Sequence, residues 1–229
     1  MSLRQAARRI ADLADSWSAH FLADQPSHIR RTFDSIYDRA HWGSASDGRG
    51  FSGPGSTIEA TAEYRQFIES LVEDEKVLSV VDAGCGDWTF SQQIDWGAAD
   101  YLGLDVVVSV IRRVQAAHET PSIRFQQRDL TEELPRADLL IVKDVLQHLP
   151  NRYIHRFILN NLQPGRFRIA VVTNDRTYDH RDNRDVRAGG FRGLDLKAPP
   201  FSLTPTEELH LFPGLKPEKV VQVFRFNDR

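Results

Sequence analysis

Only one cysteine, Cys85, occurs in a chain of 229 residues, so no internal disulfide and no cysteine-based zinc site can be assembled. No apolar run approaches the roughly 20 residues of a membrane-spanning helix. The start at Met1–Arg9 is not followed by an apolar signal-peptide core. These absences set the expectation of a soluble cytoplasmic protein with no membrane partner. A strong charge of one sign is missing too: a net charge of −3 gives no general electrostatic reason to bind nucleic acid. No internal repeat or low-complexity tract is visible. A hydrophobic fraction of 41% suffices for a core, and the length fits one α/β domain with a decorated end.

The third glycine of the nucleotide-binding fingerprint G-x-G-x-x-G is also lacking. Val80-Val81-Asp82-Ala83-Gly84-Cys85-Gly86-Asp87-Trp88 is an apolar run that ends in an acid and a two-glycine turn, and Thr89 stands where the last glycine belongs. Glycine lets a backbone approach a ligand closely because it has no Cβ and accepts positive φ. Asp82 would repel a pyrophosphate and attract a cationic amino ligand. S-adenosylmethionine has that character, with an adenosine, a sulfonium, an α-ammonium and no phosphate.

Three further apolar runs end in acids. Tyr101–Val106 presents Asp105, twenty-three positions after Asp82, near the roughly 20-residue spacing that offers a carboxylate to ribose hydroxyls. Ile123–Leu130 presents Asp129, placed to accept from an adenine amine, and Asp138–Asp144 runs into Val145-Leu146-Gln147-His148. Strands that end in succession this way describe an open sheet with its ligand outside the carboxyl ends. Over residues 77–175 the chain resembles the class I S-adenosylmethionine-dependent methyltransferases. The expected fold is an open, doubly wound, mostly parallel α/β sheet, Rossmann-like, with an antiparallel last strand and N-terminal helices.

The strands are expected near 77–83, 100–105, 123–129, 138–143 and 167–172, with helices near 87–95, 107–118 and along Tyr153–Ile158. A final strand pair is expected at Leu209–Phe212 and Val220–Phe226. Before the sheet, Ile10, Leu13, Trp17 and Phe21 recur at helical spacing, and Thr57–Val72 reads as a second helix. Residues 1–72 are thus expected to form N-terminal helices and a cofactor-covering loop. Residues 73–229 form the cofactor-binding domain, with an acceptor segment at 174–205. A homodimer is compatible with the first helix packing on a partner.

The glycine- and serine-rich stretch Trp42–Ser56 narrows the resemblance to small bacterial methyltransferases with a Trp-Gly…Ser-Gly-Pro-Gly-Ser segment. That resemblance implies that the segment folds over the cofactor, and that Asn183, Gly190, Phe191 and Arg192 belong to a stretch lining the acceptor pocket. The expected cofactor site is Trp42, Gly55 and Ser56 from the loop, Asp82, Gly84, Cys85 and Gly86 from the turn, and Asp105 with Val106. Asp129 with Leu130 and the main chain of Lys143 complete it.

Asp144 and His148, four positions apart after the fourth strand, are the candidate catalytic residues. An imidazole with an ordinary pKa of about 6.5 can act as a base near neutrality. Asn174, Asn183 and Arg192 are the candidate acceptor-binding residues. The oxygen-rich run Asp179–Asp185 lacks a calcium-loop spacing and is interrupted by arginines, so no metal site is expected. The small-molecule acceptor is expected to be polar, such as a sugar or natural-product hydroxyl. An NAD-dependent oxidoreductase and a non-catalytic S-adenosylmethionine-binding partner protein are the alternatives.

Overall fold

In the computed structural model, residues 26–39, 43, 53–179 and 182–226 are described. Seven strands form one sheet: β1 (Ser79–Ala83), β2 (Asp100–Asp105), β3 (Ile123–Gln127), β4 (Ala137–Lys143), β5 (Phe167–Arg176), β6 (Glu207–Leu209) and β7 (Glu218–Arg225). Their spatial order is β3-β2-β1-β4-β5-β7-β6. The pairs β1–β2, β1–β4, β2–β3 and β4–β5 are parallel, whereas β7 runs antiparallel to both β5 and β6. The order reverses beside β1, between β2 and β4, and that is where such a sheet opens a ligand crevice.

Side chains alternate to the two faces of this sheet. Val81, Ala83, Leu140, Val142, Ala170 and Val172 enter one core, and Val80, Leu139, Ile141, Ile169 and Val171 the other. The first core is covered by α1 (Pro26–Asp38) through Ile29 and Phe33 and by α4 (Asn151–Asn161) through Tyr153, Ile154 and Phe157. The second is covered by α2 (Ala62–Asp74) through Tyr64, Ile68 and Leu71, while α3 (Val108–His118) contributes to both. Each such fully buried side chain stabilises the fold by about 1.5–3 kcal/mol.

The expected alternation of strand and helix is present, with local departures. The helix expected near 87–95 is replaced by turns and a single 3₁₀ turn at Ser91–Gln93. Trp88 adopts φ 60°, and the Thr89 amide donates to Asp87 Oδ1 at 3.2 Å, an arrangement that competes with helix. Trp88, Phe90, Ile94 and Trp96 instead plug the second core, with Trp88 edge-on to Phe125 at 5.2 Å between centroids. Helix α2 begins at Ala62, after turns in which the Thr61 hydroxyl donates to Thr57 O. The last strand pair starts earlier than expected, with β6 at Glu207–Leu209. Helix α1 was not anticipated, and the helix expected at Ile10–Phe21 lies outside the described residues. Among the described residues no helix is long and apolar enough to cross a membrane.

Candidate active site

The turn after β1 is bound to β2: the amides of Gly84 and Cys85 both donate to Leu104 O, at 2.7 and 3.0 Å. Gly84 has φ +92°, and a Cβ built on it would lie 2.3 Å from Val145 Cγ2. No other residue fits there without displacing the turn after β4. At the end of β2 the Asp105 carboxylate accepts from the Gly86 amide at 3.2 Å and the Val107 amide at 2.9 Å. Burial nevertheless raises its pKa to about 6. Asp105, Val106, Asp129 and Leu130 line one cleft together with Gly84 and Ser56. Apolar side chains of α1, Ile29 and Phe33, close the cleft from above, and Arg128 and Tyr37 edge it.

Next to the cleft stands a buried ionic chain. Lys143 Nζ donates to Asp144 Oδ2 at 2.6 Å and to Gly55 O at 2.9 Å. Lys219 Nζ, from β7, donates to Asp144 Oδ1 at 2.8 Å and to Asp175 Oδ1 at 2.7 Å. Gln147 completes the chain through Asp175 Oδ2 at 2.9 Å. Two lysines hold Asp144 well below the usual carboxylate range, at about 2, although burial alone would raise it. The four charges cancel.

A second cavity, of about 250 Å³, opens beyond this chain and is lined by Gly55, Gln147, Asp175, Phe191, Leu215 and Lys219 among others. Asp144 and His148 line both the cleft and this cavity. His148 is seated by the 183–196 segment: its carbonyl accepts from the Gly189 amide and its Nδ1 lies 2.9 Å from Gly190 O. Donation to that carbonyl fixes the hydrogen on Nδ1 and leaves Nε2 as the basic nitrogen. Burial lowers the imidazole's pKa below its ordinary value.

No protein-family model matches the chain. It is 29% identical over 178 residues to a trans-aconitate 2-methyltransferase of Deinococcus radiodurans, with 67% of each protein covered. The N-methyltransferase NodS of Bradyrhizobium japonicum WM9, solved with S-adenosyl-L-homocysteine, superposes with TM-score 0.60 at 18% identity, covering 84% of this chain and 99% of that one. The methyltransferase domain of bacterial CtHen1 gives TM-score 0.54 at 15% identity, covering 73% of this chain and 100% of its own. The fold is that of the class I methyltransferases. The sequence relative is a methyltransferase by name, and NodS was solved with the demethylated product of S-adenosylmethionine.

The cleft suits S-adenosylmethionine chemically. Asp105 and Asp129 offer carboxylate acceptors for hydroxyl and amine donors, Val106 and Leu130 offer apolar faces for a flat base, and Gly84 admits close backbone approach. Lys143, which lines the cleft, has its buried ammonium neutralised by Asp144, so a cationic ligand meets no uncompensated charge there.

Several expected site residues lie elsewhere. Asp82 turns away from the cleft and accepts from the Tyr101 hydroxyl at 2.6 Å inside the second core. Cys85 is a buried thiol packed toward Gly103, and Gly86 contributes its amide to Asp105 rather than lining the cleft. Gly55 faces the second cavity, Ser56 the cleft, and Trp42 lies outside the described residues. Lys143 lines the cleft, and its buried ammonium is turned to Asp144 and Gly55 O. Asp144, paired to two lysines and ionised down to about pH 2, is unsuited to accept a proton. It is a structural anion.

The three expected acceptor-binding residues do not line the second cavity. Asn183 spends its amide on backbone, donating to Asp195 O at 2.8 Å and Pro199 O at 2.9 Å while accepting from the Asp195 amide at 2.8 Å. Arg192 is buried, donating to Leu146 O at 3.0 Å and Asn151 Oδ1 at 2.9 Å. Asn174 is buried on β5, on the face opposite Asp175. Of the Asp179–Asp185 run, Asp185 Oδ1 accepts from the Asn151 amide at the start of α4 at 2.7 Å. Among the described residues no three His, Cys, Asp or Glu side chains converge to hold a metal. Sequence reasoning missed Lys219, Asp175 and Gln147. Their only signal was polarity inside strand-like or turn segments.

Proposed function

We propose that this protein is an S-adenosylmethionine-dependent methyltransferase that alkylates a hydroxyl or amine of a small polar acceptor, such as a sugar or natural-product hydroxyl, held in the cavity beside His148. The observation that carries this reading is that His148 borders both the cleft and the cavity, while no other residue common to the two is able to take up a proton. Gly84 and Val145 line the cleft alone, and Asp144 is locked in its ion pairs. The bound cofactor supplies an electrophilic methyl group; the protein's part is to align the acceptor and receive its proton. His148 Nε2 would take that proton as the acceptor heteroatom gains the methyl carbon and the methyl–sulfur bond breaks. The cancelled charges of the ionic chain favour an acceptor that enters neutral, and Phe191 and Leu215 offer it apolar contact.

A second acceptor class, a carboxylate, is favoured by one observation. Lys216 is exposed at the cavity's edge, and no ion pair within 4.0 Å holds its ammonium among the described residues. The Deinococcus radiodurans relative carries trans-aconitate in its name. The test is turnover with methyl-labelled S-adenosylmethionine against monosaccharides, phenols, amines and trans-aconitate, read as label transferred. Transfer to hydroxyl or amine acceptors supports the first reading, transfer to trans-aconitate alone supports the second, and transfer to none overturns both.

A further inference from the structure

We propose that Lys219 is a positioning residue for methyl transfer: with Lys143 it seats the Gly53–Ser56 turn as the wall between the cofactor cleft and the acceptor cavity. The inference rests on the reading that the acceptor occupies the second cavity. The turn is two-sided. Ser56 lines the cleft, whereas Gly53 and Gly55 line the cavity. The barrier between donor and acceptor is therefore one backbone turn thick, and its position sets how the two approach.

Two cations from different strands hold that turn. Lys143 of β4 donates to Gly55 O at 2.9 Å. The Lys219 stem of β7 lies under the Gly55 α-carbon, so closely that a Cβ on Gly55 would meet Lys219 Cε at 2.5 Å and Nζ at 2.9 Å. Gly55 is not in a left-handed conformation, so its backbone admits a side chain, but the Lys219 ammonium end and, at 3.3 Å, Asp144 Oδ2 occupy the place it would take. Lys219 is in turn fixed by Asp144 and Asp175, and Asp144 itself sits at φ 58°, an uncommon conformation for a residue with a Cβ. The side chains of the quartet are 13% exposed or less. A buried charge that loses its partner is strongly unfavourable, so the four lock one another in place.

Sequence position hides this arrangement, because Gly55 and Lys219 lie at opposite ends of the chain. The antiparallel β7 brings Lys219 alongside Asp175 through the register Asp175↔Lys219. Register carries the ammonium to the turn after β4, and the turn before α2 is laid over it.

The test uses the full chain and two variants. Lys219→Met keeps the stem and removes the charge, and Gly55→Ala keeps the charge and displaces the stem. Three quantities are read: S-adenosylmethionine affinity by calorimetry, hydrogen exchange at the Gly55 and Ser56 amides, and turnover with the best acceptor of the panel. In both variants the Gly55 and Ser56 amides are expected to exchange at least tenfold faster. Turnover is expected to fall about 10- to 100-fold, as a displacement of the order of 1 Å can produce, with cofactor affinity changed less than about threefold. In Lys219→Met the acid limb of the pH–rate profile, set by His148, also moves to higher pH: the Lys219 charge that lowers the His148 pKa is gone, while Asp144, which raises it, and Arg192, which lowers it, remain. Unchanged exchange and turnover in both variants would overturn the proposal. A Lys219→Met chain that fails to fold leaves Gly55→Ala to decide it. If the native chain methylates no acceptor, the proposed function falls, and the exchange measurement still decides whether Lys219 seats the wall.

Discussion

Tyr101 donates its hydroxyl hydrogen to Asp82 Oδ2 across 2.6 Å, joining β1 to β2 inside the aromatic core beneath the glycine turn. Burial raises the pKa of Asp82 to about 6, against the Tyr101 hydrogen bond and the Lys143 charge, which lower it. The native state therefore binds the proton more tightly than the unfolded chain, whose carboxyl titrates near 3.8. This group's contribution to stability is greatest below 3.8 and is lost as the pH rises through about 6. At neutral pH the cost is at most on the order of 2–3 kcal/mol, by the conversion of pKa shift to free energy. Asp82→Asn keeps an acceptor for Tyr101 and removes the charge. Thermal unfolding at pH 7.5 should show a raised Tm, with weaker pH dependence between about pH 4 and 6. Calorimetry should show S-adenosylmethionine affinity nearly unchanged, and a tenfold loss would return Asp82 to the cofactor site.

Asp105 behaves differently because it lines the cleft. Its carboxyl titrates near 6, so cofactor affinity should be level above pH 7 and decline as the pH falls below about 6. Asp105→Asn should weaken binding by about 1.5–3 kcal/mol, the scale of a hydrogen bond to a charged group, and flatten that pH dependence. Titration calorimetry at pH 5.5 and 7.5 on both proteins provides the check.

For His148, burial holds the pKa below the ordinary value, so the basic neutral form dominates at pH 7. Turnover should be flat through neutrality and fall as the pH drops through that lowered pKa. His148→Gln should reduce turnover about 10²–10⁴-fold while cofactor affinity barely changes. Undiminished turnover would make it a packing residue that ties the turn after β4 to Gly190.

Gly84→Ala forces both a left-handed backbone and a contact of 2.3 Å with Val145. The overpacking alone should destabilise by roughly 1–3 kcal/mol, and the displaced turn should weaken cofactor binding. A variant with native Tm and native affinity would contradict the tight approach of the two turns.

Asn183→Ala should act on stability and not on acceptor recognition. It leaves the carbonyls of Asp195 and Pro199 and the amide of Asp195 without their partner, a loss of about 1–3 kcal/mol for each buried group left unsatisfied. The expected signature is a lowered Tm with an unchanged KM for the acceptor; a raised KM at native Tm would place it at the acceptor after all.

The sequence by itself determined the strands, their parallel order and the cluster of acids at their carboxyl ends. Those features are local: buried apolar runs such as Leu139–Val142 and a glycine turn after β1 are written in consecutive residues. It also determined that Asp105, Asp129, Gly84 and His148 would meet, because residues at the carboxyl ends of neighbouring parallel strands share one edge. Tertiary structure alone decided which way each of those side chains faces. Asp82 and Asp105 end adjacent strands, yet one points into the aromatic core and the other into the cleft. Only the tertiary structure joined Lys219 to Asp144 and Gly55, since their proximity depends on the antiparallel return of β7 and on no spacing in the chain. The polar residues of the 183–196 segment read as acceptor ligands in sequence. Folding spent them instead on backbone groups, because that irregular segment has no sheet or helix ladder to satisfy its own amides and carbonyls.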